Sequence, residues 1–258
     1  MAARSGHKPA GAKKKAPLPR VEPHIGIDEA GRGCLAGPVV AAAVYFPEHF
    51  DFSARLTGLN DSKKLNEDTR NQLAALVKEQ ALAYGFGLIW QDEIDSINIL
   101  NATFRAMSRA VFALAAKLSG SSDGFLPPLL IDGNKTIPEK HWQNCAEGIS
   151  AGTLAWEQHL PLPACLLPAR ALALPEQHAV VDGDALIPSI SAASVLAKTI
   201  RDGLMERLDA VYPGYGLARH KGYGTKEHLA ALAAKGPCPL HRMTFRGVRP
   251  EERQLSLI

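Results

Sequence analysis

Three short apolar runs in this chain each end in acid, and that recurrence constrains the fold more than any other feature. The runs are His24 to Asp28, followed by Glu29; Leu129-Leu130-Ile131, followed by Asp132; and Ala179-Val180-Val181, followed by Asp182-Gly183-Asp184. Short apolar runs bounded by turn residues predict buried strands, and Pro38 to Phe46 and Leu82 to Trp90 predict two more. Helical patterns lie between them. Asn66 predicts the N-cap of a helix to about Gln80, with Leu73, Leu76 and Val77 on one face. Ile97, Leu100, Phe104, Met107, Val111, Leu114 and Leu118 recur at steps of three and four and predict a helix over 97–118. Further helices are expected over about 189–208 and 226–234, with short ones near 142–149 and 152–159. Strands with intervening helices make an α/β domain.

If the acidic ends of those strands converge, Asp28, Glu29, Asp132 and Asp184 share one site. Like charges about 4 Å apart repel by roughly 4 kcal/mol at an effective dielectric near 20, so such a cluster requires cations. Two Mg²⁺ would neutralise it and create a centre for in-line displacement at phosphorus. The all-oxygen donor set, with no His or Cys in these motifs, suits magnesium. The alternative is that each acid caps a separate helix or turn. Gly31-Arg32-Gly33, directly after Asp28-Glu29, favours the site: its glycines let backbone N–H groups approach a phosphate, and Arg32 adds fixed positive charge. A surface turn after a strand is the competing reading of the same residues.

The formal charge of +3 is misleading. Residues 1–20 hold six basic side chains and no acidic one, and setting them aside leaves 23 basic residues against 26 acidic. The folded part is therefore acidic, and any affinity for an anionic ligand is local. The Ala/Gly/Lys/Pro-rich start is read as a disordered basic arm over 1–22, able to touch nucleic acid non-specifically or simply to solubilise the chain. It contains no apolar stretch of the kind a secretory signal needs. The longest apolar run, Val39 to Phe46, is too short to cross a bilayer, so no membrane partner is expected. The four cysteines form no Cys-x-x-Cys pair, which points to a reducing cytoplasm. Cys238 and His241 have Cys-x-x-His spacing, but half a zinc site without its other half reads as loop composition.

The order Asp28-Glu29-Ala30-Gly31-Arg32-Gly33, Asp61-Ser62-Lys63-Lys64-Leu65, Ile131-Asp132-Gly133-Asn134, Gly183-Asp184, Ser191-Ala192-Ala193-Ser194-Val195-Leu196-Ala197-Lys198 and His220-Lys221-Gly222-Tyr223-Gly224-Thr225 resembles ribonuclease HII, the bacterial type 2 ribonuclease H. The resemblance covers most of residues 24–248. It implies a ribonuclease-H-like fold, a mixed sheet flanked by helices with a helical C-terminal extension. It also implies a metal-dependent endoribonuclease that cleaves the RNA strand of RNA/DNA hybrids and nicks duplex DNA 5′ of an embedded ribonucleotide, leaving 3′-hydroxyl and 5′-phosphate ends. By that resemblance Asp28, Glu29, Asp132 and Asp184 hold two Mg²⁺ or Mn²⁺ ions. Gly31, Arg32 and Gly33 contact the ribonucleotide, whose 2′-OH is what separates it from DNA, and Tyr223 stacks at the RNA–DNA junction. Lys63, Lys64 and Lys198 are phosphate contacts, although Lys198 could instead neutralise the carboxylates and surface lysines are commonly just solvated. Ser191 and Ser194 could bind phosphate near the helix start, although capping by Ser189 or Ser191 explains the serines there equally well.

Two departures from the family pattern stand out. The 52 positions separating Asp132 from Asp184 exceed the usual connection, so about 136–177 reads as an insertion within a catalytic domain spanning 23–248. Asp182 stands where many relatives carry a basic residue; it could weaken phosphate binding or simply point away from the site. The tail over 249–258 ends Gln254-Leu255-Ser256-Leu257-Ile258, similar to short peptides that dock in the bacterial sliding clamp. A monomer is expected. Two other functions remain open from sequence alone: a silent hybrid-binding or clamp-tethered protein whose metal site is spoiled, and a ribonuclease-H-like nuclease acting on DNA junctions.

Overall fold

The computed structural model describes residues 22–59, 65–118, 126–143 and 172–249. The elements run β1 (Ile25–Ala30), β2 (Val39–Tyr45), α1 (Phe52–Arg55), α2 (Glu67–Gln80), β3 (Ala83–Ile89), α3 (Gln91–Ile97), α4 (Ile99–Lys117), β4 (Leu129–Asp132), α5 (Glu139–Gln143), β5 (Gln177–Val180), α6 (Gly183–Leu186), α7 (Pro188–Val211), α8 (Leu217–His220) and α9 (Lys226–Lys235). The five strands form one sheet in the order β3-β2-β1-β4-β5. Pairing is antiparallel on the β3-β2-β1 side and parallel from β1 through β4 to β5. This is the helix-flanked mixed sheet that the sequence led us to expect.

The period-2 alternation of the strands assigns their two faces. Ile25, Ile27, Val39, Ala41, Ala43, Leu129 and Ile131 pack with Ala106, Met107, Ala110, Val111 and Leu114 of α4. The intervening residues Ala42, Val44 and Phe86 pack instead with Ala192, Ala193, Val195 and Leu196 of α7 and with Leu73, Ala74 and Val77 of α2. Gly26 makes the second layer close: a Cβ there would overlap the backbone of Ser189 and Ile190, so only glycine lets α7 lie directly across β1. Side chains beyond the sheet form a third core, in which Leu35 and Ala36 meet Leu204, Met205, Leu208, Tyr215, Leu217, Leu232, Leu240 and Val248. This lobe is the helical C-terminal extension.

Several boundaries differ from expectation for identifiable reasons. The helix expected over 97–118 is α4, but it is preceded by a short α3 that the periodicity does not announce; Asn98 separates the two, its φ of 67° ending α3 and its Oδ1 accepting from the N–H groups of Leu100 and Asn101 to start α4. Hydrophobic periodicity passes through the break because Ile97 and Leu100 both reach the same core. β1 continues to Ala30, since β2 pairs Asp28 with Ala42, Glu29 with Ala41 and Ala30 with Val40; both acids thus lie within the strand rather than beyond its end. β5 stops at Val180, and Asp182 turns the chain in the left-handed region into α6, which carries Asp184. Of the short helices expected near 142–149 and 152–159, α5 covers the start of the first and the rest lies outside the described residues. Among the described residues, no helix is long and apolar enough to cross a membrane.

Candidate active site

Parallel pairing of β1 with β4 places Ile27 opposite Ile131, so Asp28 and Asp132 follow on neighbouring strands at the same edge. Asp28 is buried, and its carboxyl sits well above the usual carboxylate range because of burial first, then the charges of Glu29 and Asp132. A hydrogen bond from Ser194 on α7 and the Glu29 N–H, 2.7 Å from Asp28 Oδ1, oppose that rise. Glu29 is also raised, by burial and by Asp132, against the pull of Arg32, whose guanidinium lies 3.1 Å from Glu29 Oε1. Asp184 is brought to the same edge by the turn at Asp182: its backbone N–H donates to Asp132 Oδ1 at 3.3 Å, and its side chain is buried.

The four acids are therefore neighbours. Among the described residues, however, no three His, Cys, Asp or Glu side chains are drawn together as a metal-ligand cluster. Their chemistry still fits a hard divalent cation: the donors are all oxygen, and burial first, then neighbouring acids, raise Asp28 and Glu29, a penalty that a bound cation would relieve.

Beside the acids opens a cleft of about 390 Å³ lined by Glu29, Gly31, Arg32, Gly33, Arg70, Ser194, Lys198 and Tyr223. Gly31 has φ of 94°, and a Cβ on it would overlap the Arg201 guanidinium beneath, whereas one on Gly33 would meet nothing within 4 Å. Arg32 is half exposed toward the cleft. Lys198 Nζ donates to Asp202 Oδ1 at 2.8 Å and stands 5.4 Å from the centre of the Tyr223 ring. Tyr223 is 43% exposed, so it faces the cleft rather than packing away on α9. Its hydroxyl meets the Cys34 thiol in a hydrogen bond, and burial followed by Cys34 raises its pKa.

Not every expected residue joins the group. Ser191 is committed to the fold, donating to Leu59 O at 2.5 Å, and Ser189 pairs with His24 at 2.8 Å; Pro188 opens α7 with no side-chain cap. Asp182 is exposed on its turn. Lys63, Lys64 and Gln254-Leu255-Ser256-Leu257-Ile258 lie outside the described residues.

Sequence reasoning missed three arginines. Arg70 on α2 reaches the cleft because Asp202, nearly inaccessible, holds it at 2.9 Å while also holding Lys198. The Lys198 to Asp202 spacing of four was a visible helical pair, but Arg70 is 132 positions away from its partner. Arg201, fully buried, donates to Pro38 O, Lys221 O and Ala36 O at 3.0, 2.8 and 3.1 Å. Arg242, equally buried, donates to Gly37 O and to Arg32 O. These two fasten the Gly31–Pro38 loop to the C-terminal lobe, and nothing in local spacing announces them.

The chain is similar to known proteins in both sequence and fold. The family model for ribonuclease HII matches residues 25–148 and 174–248. A protein named ribonuclease HII from Nitratidesulfovibrio vulgaris is 48% identical over 253 residues, covering 96% of this chain and 99% of that one. Among solved structures, the fold resembles that of ribonuclease HII in a complex with PCNA from Archaeoglobus fulgidus (TM-score 0.58, 22% identity, covering 88% of this chain and 95% of that one). It also resembles a Bst ribonuclease HIII in complex with Mn²⁺ (TM-score 0.61, 19% identity, covering 87% of this chain and 67% of that one). With the family's matched residues spanning the acidic strand edge, the cleft and the C-terminal lobe alike, the chain belongs to the ribonuclease HII family of metal-dependent endoribonucleases.

Proposed function

We propose that this ribonuclease, whose family cleaves the RNA strand of RNA/DNA hybrids, also nicks duplex DNA on the 5′ side of a single embedded ribonucleotide. The observation that carries the reading is the meeting of Asp28, Glu29 and Asp132 at one sheet edge beside a cleft bearing Gly31, Gly33, Lys198 and Tyr223. Asp28, Glu29, Asp132 and Asp184 hold two Mg²⁺ or Mn²⁺ ions; the Mn²⁺ in the related ribonuclease HIII structure supports such a metal. Bound there, the pair supplies an activated water and stabilises the leaving oxygen. The chain's own residues do the selecting. Backbone groups of the Gly31-Arg32-Gly33 turn approach the 2′-OH, the one group that separates ribose from deoxyribose at that position. The Tyr223 ring stacks on the sugar or base step where RNA gives way to DNA, and Arg32, Arg70 and Lys198 neutralise flanking phosphates, with Lys63 and Lys64 as further contacts. The enzyme thereby leaves 3′-hydroxyl and 5′-phosphate ends.

Gln254-Leu255-Ser256-Leu257-Ile258 is proposed to tether the enzyme to a sliding clamp, a reading supported by the relative solved with PCNA. Leu257→Ala should then weaken binding to a purified clamp; unchanged affinity would remove the tether.

The decisive assay uses Mg²⁺ and a labelled DNA duplex carrying one ribonucleotide, beside an all-DNA duplex and the Asp132→Asn variant. A nick immediately 5′ of the ribonucleotide, absent from both controls, is the expected result. Binding without cleavage in either Mg²⁺ or Mn²⁺ would overturn it.

A further inference from the structure

Behind Tyr223, away from the acids, three histidines of the C-terminal lobe are packed together. His220 and His228 stack with ring centres 4.3 Å apart, and His228 and His241 meet at 5.2 Å. All are buried, His228 completely, and His228 and His220 each hydrogen-bond the Tyr223 backbone.

Their hydrogen bonds determine where each proton sits. His228 Nδ1 lies 2.9 Å from the Tyr223 carbonyl oxygen, which can only accept, so Nδ1 carries the hydrogen. Burial holds His228 neutral by lowering its pKa, which leaves its Nε2 as an acceptor. Across from it at 3.0 Å is His241 Nε2, which must therefore donate. With Nε2 carrying the hydrogen, His241 Nδ1 keeps its lone pair: it receives the Cys238 N–H at 3.0 Å and lies 3.2 Å from the Cys238 sulfur, and the Cys238 carbonyl oxygen, also at 3.2 Å, is a contact and not an acceptor of its proton. His220 obeys the same logic: Nε2 donates to Tyr215 O at 2.7 Å and Nδ1 accepts from the Gly222 N–H at 3.2 Å. Every ring nitrogen is engaged, and although the Cys238 sulfur lies 3.2 Å from His241 Nδ1, no third His, Cys, Asp or Glu among the described residues joins them as a metal-ligand group.

The outcome is a one-way chain of donors, from Cys238 N–H through His241 and His228 to the Tyr223 carbonyl. The Tyr223 N–H is held from the other side by His220 O at 2.9 Å. We propose that His228 and His241 are positioning residues that fix the backbone of Tyr223, and so set the angle at which its ring meets the RNA–DNA junction. This rests on the stacking role assigned to Tyr223 above. A ring misplaced by a fraction of an ångström loses contact with the junction without losing the active carboxylates, so the relay governs selectivity rather than turnover.

The test exploits the different reach of two amides. In His228→Asn, the side-chain NH₂ falls near the position of Nδ1 and retains the bond to Tyr223 O; in His228→Gln it falls near Nε2 and abandons that bond. The readout is the ratio of kcat/KM for a duplex with one ribonucleotide to that for a long hybrid, measured also in a Tyr223→Ala background. Gln should lower the ratio about fivefold, the size of one net hydrogen bond, Asn should stay within about twofold of the parent, and neither should matter once Tyr223 is Ala. Equal effects of Asn and Gln, or an unchanged ratio in Gln while Tyr223→Ala shifts it, would overturn the relay and leave the stacking role standing. An unchanged ratio in Tyr223→Ala itself would instead overturn the stacking role, and the relay's part in selectivity with it. Nitrogen-15 spectra of the unaltered protein test the chain without any variant: hydrogens on His228 Nδ1, His241 Nε2 and His220 Nε2 at neutral pH are expected, and any other tautomer refutes it.

Discussion

The acidic edge of the sheet and the C-terminal lobe both bury polar groups, but they resolve them in opposite ways. In the lobe, His220, His228, His241, Arg201 and Arg242 find acceptors and donors within the chain, chiefly backbone carbonyls. At the edge, Asp28 and Glu29 are raised by burial first and then by neighbouring acids, Asp132 among them, with Ser194 and Arg32 offering partial compensation. Buried polarity that is satisfied internally supports structure, whereas buried charge that is not satisfied invites a ligand. In the proposed mechanism, that difference separates the part of the molecule that reacts from the part that aims it.

Variants at the two places should therefore fail differently. Asp132→Asn is expected to lower metal-dependent cleavage by on the order of 10³-fold or more, yet to leave metal-free stability equal or higher because one of the repelling charges is gone; thermal unfolding beside single-turnover cleavage reads both. Arg201→Met should do the reverse, costing about 3–5 kcal/mol of stability by leaving three buried carbonyls without donors, measured by urea unfolding. Loss of stability in the first, or none in the second, would erase the contrast.

Acidity sharpens it further, since the two regions respond with opposite sign. His241 is lowered to about 4 by burial, while its unfolded counterpart protonates near 6.5, so stability falls as pH drops through that window, by up to about 3 kcal/mol. Asp28 and Glu29 are raised; the unfolded chain ionises them near pH 4 while the native state resists, so their contribution is lost as pH rises through their folded values. Saturating Mg²⁺ should abolish the second slope and spare the first, and urea titrations across pH 4 to 9 with and without the ion check this. The smallest effect is expected at Asp182, exposed in a left-handed turn that Asn also tolerates: Asp182→Asn should change cleavage less than about twofold and stability by less than about 0.5 kcal/mol. A larger change in cleavage would mean that this carboxylate reaches the substrate.

Much of the site could be read from the chain because its residues are carried by strong local signals. Asp28 and Asp132 sit on apolar strands whose periodicity is plain, Asn66 and Thr225 cap their helices through hydrogen bonds to Thr69 and His228, and Tyr223 lies in a glycine-rich loop. The element that carries Asp184 is not legible, because β5 gives way to a left-handed turn that apolar patterning does not signal. Asn98 escaped notice for a related reason: the core-facing period runs unbroken across a helix break.

Sequence alone determined the strand and helix periodicities, the acids that close the apolar runs and the glycine-flanked Arg32, since each depends on residues within one turn or one strand. Only the tertiary structure decided that Asp202 serves Arg70 as well as Lys198, that Ser191 belongs to Leu59 rather than to a phosphate, and that Arg201 and Arg242 clamp the Gly31–Pro38 loop. Apart from the Lys198–Asp202 pair, those bonds join residues separated by more than 100 positions. Their donors and acceptors are common side chains and anonymous carbonyls, so what selects each partner is the packing of α7 and the C-terminal lobe against the sheet, which no local pattern encodes.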